Sequence, residues 1–151
     1  MSLEKAKKIL NIVGIITILG SVAAIVLGFY VVLRVGSYGG NVPQVQDSVE
    51  FQELAAFFVI TGTTLIISGL CALATGVFSV LASRNAKYAR TCWILCIVSL
   101  VTTVYHGISN LLGSFGWGNL ISMLAGLILD SLGFFAANII KSDYEKQQKR
   151  A

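Results

Sequence analysis

One acid in this chain, Asp130, falls inside a long apolar stretch. An ionised carboxylate in hydrocarbon costs several kcal/mol, so such a group pairs across helices or holds a proton. It lies about ten residues, ~15 Å along a helix, from the charged end of its segment. Its partners are expected in Thr91–Leu112. There Cys92, Cys96, Ser99, Thr103, His106 and Asn110, with Gly113 just beyond, follow one another at alternating steps of four and three. On a helix that spacing puts all of them on one seam. The remaining residues of the stretch are mostly apolar. In water the seam would face solvent, whereas in lipid it must turn inward, because an unpaired polar group in hydrocarbon is costly. Folding the third and fourth apolar stretches about Phe115 brings Ser99 and Thr103 opposite Asp130. His106 falls about 9 Å further along, by the helical rise. Asp130, His106, Ser99 and Thr103 are therefore the candidate ion or proton site. The competing reading is an acid held structurally by hydrogen bonds.

Other chemistry finds little support. One histidine cannot give a bis-histidine haem. Cys92 and Cys96 are spaced as C-x-x-x-C, with no cysteine in an outer loop, unlike a membrane disulfide oxidoreductase. Cys71, Cys92 and Cys96 are three in number and all lie in or at the ends of apolar runs. They read as buried packing thiols, without disulfides. A tetrahedral zinc site would need these three and His106 to converge from different depths. No phosphate-binding loop, nucleophile elbow or H-E-x-x-H motif occurs. The expectation is a non-enzymatic chain that uses no cofactor or metal. The net charge of +4 lies beside the apolar runs, so it reads as a topology signal and not as a nucleic-acid surface.

The elements that hold these residues are membrane spans. Of 151 residues, 56% are hydrophobic and 12% charged, against about 25% charged in soluble domains. The pattern predicts one all-α domain over 1–151, a four-helix transmembrane bundle with up-down-up-down topology. Its spans cover about 9–33, 54–82, 91–112 and 117–140, with an outer loop at 34–53 and a polar tail at 141–151. The first run is too long for the apolar core of a signal peptide, about 7–15 residues, and reads as a retained helix. Lys5, Lys7, Lys8, Arg84, Lys87, Arg90, Lys141, Lys146, Lys149 and Arg150 fall on one side of this plan, and Arg34 alone on the other. The positive-inside rule then puts both termini in the cytoplasm. Gly39-Gly40-Asn41 is a turn signal, 44–53 a candidate interfacial helix, and 113–118 a tight uncharged turn.

Small residues recur at helical spacing on three spans. Gly14, Thr17, Ser21, Ala24 and Gly28 form one such face. Gly62, Gly69 and Gly76, with Ala72, Ser79 and Ser83, form another. Gly118, Ser122, Gly126, Gly133 and Ala137 flank Asp130 on the fourth span. In lipid, small residues are the usual helix–helix interface, so Gly62, Gly69, Gly76, Gly126 and Gly133 are read as packing residues. A weak match of Ile9–Val13 to Ile94–Val98, and of Gly69 and Gly76 to Gly126 and Gly133, is compatible with a duplicated helix hairpin.

Two functions fit. One is a structural or accessory membrane protein, assembling with itself or with a larger membrane partner through its glycine faces. The other is a small proton- or cation-linked transporter or channel subunit using Asp130. The plan is shared by many small four-span proteins and implies no activity by itself. Compact loops without disulfides or glycosylation sequons suit a multi-pass protein of a bacterial cytoplasmic membrane.

Overall fold

A computed structural model describes residues 1–39, 49–113 and 117–150, and the side chains of residues 1–34, 52–108, 117 and 120–150. Among the described residues the chain is helical throughout: α1 (Leu3–Gly39), α2 (Val49–Arg84), α3 (Ala89–Gly113) and α4 (Trp117–Gln148). A single 3-10 turn, Ala86–Tyr88, joins α2 to α3. All four helices are long and apolar enough to cross a membrane.

The helices outrun the apolar stretches, for local reasons. At the start of α1, the Ser2 hydroxyl accepts from the Lys5 amide at 3.4 Å, and Glu4 sits in the first turn, where the helix dipole favours an acid. The basic leader is thereby drawn into the helix. At the other end Arg34 reaches back one turn, donating to the Tyr30 hydroxyl at 3.0 Å and lying over its ring. Residues 34–39, expected in the outer loop, are helical, and Val49–Glu53, the described part of the candidate helix at 44–53, opens α2. The turn at Gly40-Asn41 and residues 44–48 lie outside the described residues. The basic connection expected between the second and third spans shrinks to Asn85 and the 3-10 turn. The Asn85 side chain accepts from the Lys87 amide at 3.1 Å and caps that turn. The polar tail, expected as a frayed helical extension, continues α4 to Gln148.

The chain forms two compact units, residues 1–18 with 74–151, and residues 19–73. In the first unit, the start of α1, the end of α2, the start of α3 and the end of α4 meet. Ala6, Leu10, Ala82, Ala89, Cys92, Cys96, Ala136, Ala137 and Ile140 make its buried core. The small alanines let four helices approach around Leu10 and Ile140. In the second unit, α1 and α2 pack antiparallel, with Gly28 against Gly62 and Gly69 against Ser21 and Ile25.

The exposed Thr64 and Thr102 satisfy their hydroxyls within their own helices. Thr64 donates to the Ile60 carbonyl and Thr102 to the Val98 carbonyl, each at 2.8 Å. This back-bonding lets a hydroxyl face lipid without an orphan donor.

Candidate functional site

Ser99 and Thr103 do not back-bond in this way. Ser99 donates its hydroxyl to Asp130 Oδ1 at 2.9 Å, and Thr103 donates to Oδ2 at 2.6 Å. The two residues are one turn apart on α3, so their hydroxyls straddle the carboxylate presented by α4. Each carboxylate oxygen thus receives one donor from the neighbouring helix. Asp130, Ser99 and Thr103 are half-buried. The arrangement can satisfy an ionised carboxylate in a medium of low dielectric, or hold a proton on it, because hydroxyls both donate and accept.

α3 and α4 approach each other through small residues on either side of this group. A Cβ on Gly126 would lie 3.0 Å from Thr103 Cγ2, and one on Gly133 would lie 3.5 Å from both Cys96 Sγ and Val13 Cγ1. Further along, Met123 packs into the space opened by Gly107. The contact face of α4 therefore passes through Met123, and Ser122, expected on it, is exposed.

His106 is half-buried and stacks edge-on against Tyr105, with ring centroids 5.7 Å apart. Among the described residues, the hydrogen bonds on the Asp130 carboxylate come from Ser99 and Thr103, not from His106. One turn separates His106 from Thr103 along α3, and the structure does not bring the imidazole into the group. Asn110 and Gly113, at the end of the seam, have side-chain positions outside the described residues.

The glycine faces of α1 and α2 are in use within the chain. In the first unit Gly14 and Gly76 cross with their backbones in contact. A Cβ on Gly14 would fall 2.8 Å from the Gly76 carbonyl oxygen, and one on Gly76 would fall 2.9 Å from that of Gly14. In the second unit Gly28 and Gly62 make the same reciprocal contact, at 2.7 and 2.9 Å. Gly69 lies against Ile25 and the Ser21 carbonyl. Gly20 is different: it is exposed on α1, and a Cβ there would meet nothing within 4 Å.

The thiols divide as well. Cys92 and Cys96 are buried, but Cys71 is exposed on α2, contrary to the expectation of three buried thiols. A membrane-facing cysteine meets lipid, so the pressure that buries thiols away from water is absent there.

The charged end of the first unit carries an aromatic–basic contact that spacing alone did not reveal. Lys141 Nζ of α4 sits 3.8 Å from the centroid of the Trp93 ring on α3, and Phe134 stacks beside that ring at 5.9 Å. Trp93 Nε1 is the buried side-chain donor without a partner among the described residues. The available signal was the pairing of a tryptophan near the start of one span with a lysine at the end of the next. No protein-family model, curated protein or solved structure matches this chain.

Proposed function

We propose that this chain is a structural or accessory protein of a cell membrane, not an enzyme, and that it assembles with a second copy or another membrane protein through the outer face of α1. The observation that carries the reading is Gly20. Glycine weakens a helix unless close packing compensates it. Among the glycines whose surroundings are described, the others have a neighbour within this chain, whereas Gly20 is open. Around it Leu19, Ala23 and Leu27 are exposed. Together they make a shallow notch into which a neighbouring helix can pack. The larger glycine faces hold the chain's own helices together, so assembly falls to this one.

In the same reading the four helices run up-down-up-down and both termini face the cytoplasm. The support is electrostatic: the basic leader, the Arg84–Arg90 connection and the basic tail all adjoin the buried core of the first unit. A bacterial cytoplasmic membrane accommodates such a protein. The test is native mass spectrometry in mild detergent. Wild type should carry a second copy or a partner, and Gly20→Ile should lose it while keeping its helicity and the unfolding midpoint of the separated monomer. A Gly20→Ile protein that assembles as the parent does refutes the proposal.

The second reading, a proton- or cation-linked subunit, draws on the half-buried Asp130 and the two hydroxyls that have given up back-bonding to reach it. Asp130→Asn keeps shape and hydrogen-bonding capacity but removes the ionisable group. Loss of ion flux in proteoliposomes on that change, with the fold intact, would favour it. Wild-type liposomes that stay tight to protons and alkali cations under an imposed gradient count against it.

A further inference from the structure

Cys92 and Cys96 have no part in the function proposed above. Both lie in the first two turns of α3, 0% and 2% exposed, with their sulfurs 4.0 Å apart. The Ser79 hydroxyl of α2 is 3.5 Å from Cys92 Sγ and also donates to the Thr75 carbonyl at 2.8 Å. The rest of the surrounding core is Leu10, Ile140 and alanine. A metal–sulfur bond is about 2.3 Å, so one ion can join two sulfurs up to ~4.6 Å apart. The observed separation admits an ion between them after a small side-chain rotation.

The donor set selects the ion. Two soft sulfurs in an apolar pocket suit Cu(I). Structural zinc closes a tetrahedron of four ligands, and among the described residues no three His, Cys, Asp or Glu side chains come together. When Cu(I) binds, one S–H bond breaks, a copper–sulfur bond forms, and the proton leaves to water. The second sulfur coordinates as the thiol. The site then has the charge it began with, and copper stays Cu(I) with no electron transferred. The route in is short, because Cys92 lies one turn, ~5 Å, from the start of α3 at the charged connection.

We infer that Cys92 and Cys96 form a two-sulfur site for Cu(I), one ion per chain, at the charged end of α3.

The experiment is anaerobic titration of the purified full chain in detergent with Cu(I), held in competition by a chromophoric Cu(I) chelator. Wild type and Cys71→Ser should each take one equivalent. Cys92→Ser and Cys96→Ser should each bind more weakly by over about 100-fold, beyond the range typical of losing an outer-shell partner. X-ray absorption on the wild-type complex tests the site without any variant, and two sulfur neighbours are expected. Cu(I) remaining with the chelator, a shell dominated by nitrogen or oxygen, or serine variants that bind as the parent does would each overturn the inference. Zinc binding more tightly than Cu(I) would also overturn it, leaving the pair as packing thiols.

Discussion

Alanine placed at Gly76 tests whether backbone contact between α1 and α2 holds the first unit together. The new Cβ would lie 2.9 Å from the Gly14 carbonyl oxygen, 2.8 Å from Ile18 Cγ1 and 3.0 Å from the Ile18 amide nitrogen. Carbon pairs rest at about 3.5–4.0 Å, so the helices must part by roughly 0.5–1 Å. A gap of that size forfeits about a quarter to a half of each van der Waals well along the crossing. Overpacking of this kind costs ~1–3 kcal/mol. Alanine also removes glycine's weakness in a helix, worth up to ~1 kcal/mol in water, and this partly hides the clash. Gly20→Ala supplies the correction. Measured on the separated monomer, it carries the same propensity gain on the same helix pair but meets nothing of this chain within 4 Å. The difference between the two variants isolates the contact and should be ~1–3 kcal/mol. Gly133→Ala is a second control, since its Cβ would sit 3.5 Å from Cys96 Sγ and Val13 Cγ1, an ordinary contact. It should be at least as stable as the parent. Reversible unfolding in mixed micelles, titrated with a denaturing detergent and followed by far-ultraviolet circular dichroism, gives all three values. If Gly76→Ala and Gly20→Ala unfold together, the close crossing of α1 and α2 is not what stabilises this unit.

The polar contacts predict a second ordering. Replacing Ser99 by Ala together with Thr103 by Val strips both donors from Asp130 and should cost ~1–3 kcal/mol for each orphaned oxygen. Thr102→Val removes only a back-bond on an exposed face and should be near neutral in the same unfolding assay. Reporter fusions after Lys87 and after Lys146 should read cytoplasmic, and one after Gln46 should read external. A cytoplasmic reading at Gln46 would contradict the four-span orientation. Lys141→Gln removes the cation over Trp93 and should destabilise by ~0.5–2 kcal/mol, with a shift in tryptophan emission that Lys146→Gln does not produce.

The inward seam of α3 was legible because polarity has one meaning in lipid. A hydroxyl or carboxylate in hydrocarbon needs a partner, so a row of polar residues at helical spacing identifies the buried face. The fold places Ser99 and Thr103 on Asp130 along that face. Thr102 shows where the rule weakens, since a hydroxyl can satisfy itself on its own helix and point outward. Helix ends were less legible. The limits of the apolar runs mark where hydrocarbon ends, whereas the limits of the helices depend on Ser2, Asn85 and the Tyr30–Arg34 pair, which act in water. Glycine is the hardest to read. Gly14 and Gly20 are the same residue on one helix, yet a Cβ on the first would strike the Gly76 carbonyl and one on the second would meet nothing. Small size records that something must come close, without recording whether it belongs to the same chain. Where the outer surface of a protein is as apolar as the lipid around it, residue type does not mark a partner's footprint. An unmatched notch such as Gly20 becomes visible only after the chain's own contacts have been assigned.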